Sequence, residues 1–142
     1  MRVSVQDRES LCQGADPAAL VSAWRDLLAR HAATACALDR ELGEQFGLGM
    51  SDFEVLERLA EAPAELRVQE LAEKVHLSQS ALSRLIGRLE KAGLVQRAMC
   101  ELDRRGIYVT LSAAGHERYE AARPLHREVL ARVLTDRQVA CD

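Results

Sequence analysis

The segment 68–111 constrains this chain more than any other, because its apolar spacing passes from a helical period to a strand period within a few residues. Val68, Leu71, Ala72 and Val75 recur at helical steps and define one short amphipathic helix. Ala81, Leu82, Leu85, Ile86 and Leu89 define a second. Ser78 suits the N-cap of that second helix, because its hydroxyl can accept from an unpaired backbone N–H, and Gly93 suits the position just past its end. Leu94, Val95 and Gln96 then begin a strand, and Ile107, Tyr108, Val109, Thr110 and Leu111 alternate in another. Asp103 and Gly106 supply the turn chemistry between the strands. The pattern predicts a helix–turn–helix that runs into a two-stranded wing.

The outward residues of the second helix give this arrangement a chemistry. Gln79, Ser80, Ser83, Arg84, Gly87 and Arg88 fall largely opposite the apolar stripe, and Ser78 precedes them. Serine and glutamine reach base edges or phosphates, and arginine binds guanine bidentately. A helix with such a face can lie in the major groove of double-stranded DNA while a wing reaches the adjacent minor groove. Arg104 and Arg105 are expected near the wing tip, where a narrow, electronegative minor groove attracts them, with Asp103 steering an arginine while holding the turn. The competing readings are a solvated helix face and a surface turn with a local ion pair.

The flanks read as a dimerisation frame. Over 18–46, Leu20, Val21, Trp24, Leu27, Leu28, His31, Ala35, Leu38, Leu42 and Phe46 recur mostly every three or four residues. Asp16 and Pro17 suit its N-cap and first turn. A helix this long exceeds what one small winged domain can cover. A second flanking helix is expected from Ser112 to about Leu134, with Tyr119, Leu125, Val129, Leu130 and Val133 on its apolar side and Pro124 kinking or splitting it. Two-fold symmetry would set the two recognition helices roughly 34–36 Å apart; the alternative is that the flanks complete a monomeric core. The fold class expected is mainly α with a small β-wing: a flexible arm over 1–15, then one domain over 16–142. Within it lie a dimerisation helix (16–47), a winged helix–turn–helix (50–111) and a C-terminal dimerisation helix (112–142).

The 142 residues carry a net charge of −3, against the habit of nucleic-acid binders, but the charge is unevenly placed. Residues 1–65 hold 6 basic and 12 acidic side chains, whereas 66–111 hold 8 and 5. Screening limits attraction to about a Debye length, ~8 Å at physiological salt, so the local surplus governs. The Glu-rich stretch 41–65 reads as a solvated acidic face. No run of 18 apolar residues and no basic-then-apolar leader occurs, so a cytoplasmic protein without a membrane span is expected.

No nucleophile elbow, zinc-protease helix motif, phosphate loop or dinucleotide fingerprint is present, so an enzyme is not expected, nor a cofactor. Cys12, Cys36, Cys100 and Cys141 lack metal-ligand spacing, and His31, His76, His116 and His126 are scattered. Cys36 reads as a small packed residue, Cys100 as a wing-tip thiol, and His76 as a helix cap or phosphate contact at the helix–helix turn.

The combination resembles the MarR family of winged-helix transcription regulators. Asp103, Arg105, Val109, Leu111, Ser112 and Gly115 stand at the positions of the family's wing signature. Residues 82–95 look like its recognition helix and exit, and 48–56 like the loop and helix before the DNA-binding helices. The resemblance spans roughly 18–134. It implies a homodimer that binds palindromic promoter DNA, usually as a repressor, and that commonly answers to a small aromatic or phenolic ligand or to an oxidant. The family pocket lies between the dimer helices and the DNA-binding lobe, which makes Trp24, Arg25, His31 and Phe53 candidate lining residues, with core packing as the other role for Trp24 and Phe53. Peroxide-sensing relatives use a cysteine near the start of the first helix, which makes Cys12 the redox candidate. Urate-responsive relatives carry an arginine where this chain has Leu85, so a urate-type response is not expected. Members also tend to continue further after the wing, so here the dimer contact is expected to rest mainly on residues 18–46. A winged module that contacts protein rather than DNA is the remaining alternative; it would lack both the polar helix face and the arginine pair.

Overall fold

Asp16 opens the first helix as expected, its carboxylate accepting from the Ala18 N–H at 3.2 Å with Pro17 in the first turn. In the computed structural model, which describes residues 14, 16–100 and 103–136 and only the backbone of 100 and 103–105, this helix α1 runs over Pro17–Phe46. Gly47, left-handed at φ 67°, ends it. Helix α2 (Met50–Glu61) follows, with the Asp52 carboxylate accepting from the Gly49 N–H at 2.8 Å and Asp39 accepting from the Met50 N–H at 2.7 Å. A two-residue strand β1 (Leu66–Arg67) leads into α3 (Val68–Val75) and α4 (Gln79–Lys91). Strands β2 (Val95–Cys100) and β3 (Asp103–Leu111) form the wing, and α5 (Ala113–Leu134) closes the described chain.

The sheet is antiparallel in the order β1-β3-β2, with Leu66 opposite Val109 and Val95 opposite Leu111. The third strand was not expected, because two residues are too few to display an alternating pattern. The core gathers Leu42, Leu48, Phe53, Leu56, Leu71, Leu82, Ile86, Leu94 and Val109, all essentially without solvent access. It joins α2, α3, α4 and the base of the wing to the C-terminal half of α1 and to α5.

Several expectations need correction. Pro124 does not split α5, which runs unbroken over Ala113–Leu134. The proline lies on the exposed side, as does Glu120 one turn before it, so the backbone carbonyl left without its N–H can turn to water. The acidic stretch 41–65 is not uniformly solvated, because Asp52 and Glu57 are buried. Cys36 is exposed rather than packed: Ala33, Thr34, Ala37 and Leu38 occupy the inward side of α1. The N-terminal half of α1 stands outside the core, since every residue from 17 to 32 is exposed. Among the described residues no helix is long and apolar enough to cross a membrane, and no group of three His, Cys, Asp or Glu is placed to hold a metal.

Candidate nucleic-acid interface

The turn between α3 and α4 is built on His76, a non-glycine residue in the left-handed region at φ 58° and ψ 40°. Its N–H and that of Leu77 return to the Ala72 carbonyl, so His76 caps α3, one of the two roles read from its position. Ser78 then opens α4, its hydroxyl accepting from the Ala81 N–H at 3.2 Å and lying 3.3 Å from the Ser80 hydroxyl. Leu82, Leu85, Ile86 and Leu89 bury the inner face of α4, and Gln79, Ser80, Ser83, Arg84 and Arg88 stand exposed on the other. The helix ends in a paired cap: Gly93, at φ 78°, donates to the Glu90 carbonyl and Leu94 to that of Leu89.

Arg88 has a partner the sequence did not reveal. Its guanidinium donates to Asp52 at 3.3 Å, so it ties α4 to the start of α2 while remaining largely open to solvent. Between Ser51 and α4 lies an open depression of about 730 Å³ that brings Arg84, Arg88 and Lys91 together. On the other flank, Gln79, Ser80 and Ser83 share a depression of about 440 Å³ with Arg67, Gly106 and Ile107. The start of the polar helix face and the outer part of strand β3 therefore line one concave surface. Arg67, absent from the sequence reading, donates to the Tyr108 hydroxyl at 3.1 Å and lies 5.5 Å from that ring's centre. The one available signal was a basic residue just ahead of α3. Asp103, Arg104 and Arg105 enter strand β3, with Asp103 opposite Cys100 beyond an irregularity at Met99 and Cys100; their side chains lie outside the described residues.

The four candidate ligand residues are not brought together. Trp24, 57% exposed, lies with Arg25 and His31 on the uncovered half of α1, whereas Phe53 is fully buried. Phe53 stacks on His126 at 4.1 Å between ring centres and packs 5.5 Å from Tyr119. Around this stack lies a polar cluster that linear sequence did not show. The Glu57 carboxylate accepts from the Tyr119 hydroxyl at 3.1 Å and from Arg127, and Arg127 also donates to His126 Nδ1 at 2.6 Å. A guanidinium can only donate, so His126 Nδ1 accepts in this pair, and burial and then the Arg127 charge hold the His126 pKa below its ordinary value. Burial alone would raise Glu57, but Arg127 and the Tyr119 hydroxyl outweigh it and the carboxyl ends below its ordinary range. Burial and the Glu57 charge push Tyr119 up. Cys12 and Cys141 lie outside the described residues, as does the side chain of Cys100.

The MarR family model matches residues 48–107, which take in α2, α3, α4 and most of the wing. AbsC, a MarR family transcriptional regulator from Streptomyces coelicolor, is 30% identical and superposes with a TM-score of 0.74, covering 98% of this chain and 85% of its own. Sco3205, a MarR family transcriptional regulator from the same organism solved in complex with DNA, is 31% identical with a TM-score of 0.78, covering 88% of this chain and 79% of its own. The chain belongs to the MarR family. A third structure shares the fold at 18% identity and a TM-score of 0.73, over 80% of this chain and 85% of its own: Bordetella bronchiseptica BpsR, whose DNA binding is regulated by 6-hydroxynicotinic acid. No curated protein matches the chain. As a MarR family protein the chain is a transcription regulator, and its mainly helical winged fold is the one expected.

Proposed function

We propose that the protein is a homodimeric repressor that binds a palindromic operator in double-stranded DNA and is released by a small aromatic or phenolic ligand. The observation that carries the DNA reading is the division of α4: four apolar residues are locked in the core while Gln79, Ser80, Ser83 and Arg84 face outward, the first three beside Gly106 and Ile107 of the wing. That geometry lets the helix edge reach bases while neighbouring cations meet phosphates. Sco3205, alike in fold and 31% identical, was solved on DNA, which supports the same use here. A second copy is the natural cover for the exposed apolar residues of α1, Leu20, Val21, Trp24, Leu27 and Leu28. BpsR supports an aromatic acid as effector, and Trp24, Arg25 and His31 are the residues offered to it; Phe53, fully covered, does not line such a site in this structure. The ligand would act by preferring a spacing of the DNA-binding lobes that DNA does not accept.

A mobility shift on the gene's own promoter region tests the DNA reading. Arg84→Ala should weaken binding by about 1–3 kcal/mol and relax preference at particular base pairs, and Arg105→Ala should weaken binding to most sequences and lower the salt slope by about one. Unchanged affinity and salt slope in both variants would overturn it. A thermal-shift screen of phenolic and aromatic acids, followed by DNA competition, tests release by ligand.

A further inference from the structure

Above the shared apolar core, polar contacts of Arg97 join the wing to helix α4. The Arg97 guanidinium, on β2, donates to the Ser83 carbonyl at 3.4 Å, and its Nε lies 3.9 Å from a Glu90 carboxylate oxygen. The other Glu90 oxygen accepts from the Arg97 backbone N–H at 3.2 Å, so Glu90 holds both the strand and its side chain. The guanidinium also lies close over Gly87, where a Cβ would stand 3.3 Å from it, tighter than an ordinary contact. The register places Arg97 opposite Val109, which is fully buried, so this residue stands where the wing leaves the core. Beyond it, Met99 and Ile107 are exposed and paired across the strands. No further side-chain bond from β2 to α4 is present among the described residues.

We infer that Arg97, with Glu90 and Gly87, is a positioning device that fixes the angle of the wing against the recognition helix, and that it serves DNA binding through this geometry rather than as a phosphate contact. The inference rests on the DNA reading above. It makes an unusual demand on sign. Glu90 is an exposed acidic residue on the helix that meets DNA, so on charge alone Glu90→Gln should tighten binding and free Arg97 for phosphate. If Glu90 instead holds Arg97 in place, the same neutral substitution must weaken binding.

The test measures operator affinity of the full chain as the unaltered protein, Glu90→Gln, Arg97→Lys, Arg97→Ala and the Glu90→Gln/Arg97→Ala pair, with amide hydrogen exchange of 95–100 and 103–111 in the free protein. Glu90→Gln should weaken binding about tenfold, as expected for loss of a charge-assisted hydrogen bond. Arg97→Lys should weaken it comparably, because lysine keeps the charge but lacks the planar fork. The double variant should bind no worse than Arg97→Ala. Wing amides should exchange faster in Glu90→Gln while α3 and α4 keep their protection, which separates a loosened wing from a failed fold. Tighter or unchanged binding in Glu90→Gln, full retention in Arg97→Lys, or unaltered wing exchange would each overturn the inference. An unaltered protein that ignores its promoter would overturn the DNA reading instead, and the exchange measurement would still decide whether Glu90 anchors the wing.

Discussion

Ser112 and Gly115 show how single residues of the wing motif act. The Ser112 hydroxyl donates to the Gly93 carbonyl at 2.6 Å and accepts from the Gly115 N–H at 3.0 Å, while the Ser112 N–H donates to the Leu94 carbonyl. The start of α5 is thereby stitched to the exit of α4. A Cβ on Gly115 would stand 2.0 Å from the Leu94 carbonyl oxygen, a backbone atom that cannot step aside. Gly115→Ala should therefore destabilise the fold by about 2–4 kcal/mol, read as a fall in denaturant midpoint. Gly43→Ala is the matched control. It lies within α1, its Cβ would meet nothing closer than 4.0 Å, and it should stabilise by about 0.5–1 kcal/mol. Equal effects at the two sites would refute the steric account. At this scale the sequence showed which residues recur but not what they touch. Ser112 was legible as the start of a helix, whereas its bond to Gly93 needed the chain folded back on itself.

At the scale of the element, α5 carries two features that pattern reading misjudged or missed. Pro124 sits in an unbroken helix on its solvent side, so restoring the missing N–H with Pro124→Ala should raise stability by about 1–3 kcal/mol, measurable as a higher thermal midpoint; a lower midpoint would show that the proline shapes α5 productively. His126 joins α5 to α2 through its stack on Phe53, with Glu57, Tyr119 and Arg127 around it. Because folding depresses its proton affinity, the unfolded chain binds the extra proton first on acidification. Stability from this group is complete above about pH 6.5, the ordinary histidine value, and declines below it by at most about 1.4 kcal/mol per pH unit. Glu57, held below its ordinary range, adds stability that is present above about pH 4.5 and is lost as pH falls further. His126→Gln should flatten the decline between about pH 6.5 and 5, and a slope unchanged in that variant would assign the effect elsewhere. The apolar side of α5 was legible, but His126 as a buried member was not, since a lone histidine at helical spacing carries no mark of its surroundings.

At the scale of the molecule, the outstanding fact is a 30-residue helix whose first half is exposed along its whole length. Leu20, Trp24, Leu27 and Leu28 follow helical spacing along it, and at about 1.5 Å per residue α1 spans some 45 Å, of which only the C-terminal part is buried in the core. An isolated amphipathic half-helix is marginal in water, so its helicity calls for a partner surface. Sedimentation should show a dimer at micromolar concentration, and Trp24→Glu with Leu27→Glu should weaken association at least about thirtyfold while leaving the winged body folded. A native protein that sediments as a monomer throughout would overturn the homodimer. DNA affinity of the double variant should fall as well, because two linked half-sites become one.

Local sequence by itself determined what short-range physics determines: helix periods, the Asp16 and Ser78 caps, the Gly93 exit and the apolar alternation of the wing. Each depends on residues within about one turn of helix or a strand's width, so each is written where it acts. Tertiary structure alone decided which polar side chains were drawn inward or across. Asp52 meets Arg88 over 36 residues, Glu57 meets Tyr119 over 62, and Arg97 reaches the Ser83 carbonyl over 14. No pattern marks those pairs beforehand, because charged groups read as solvated until the fold removes water from one and supplies the other.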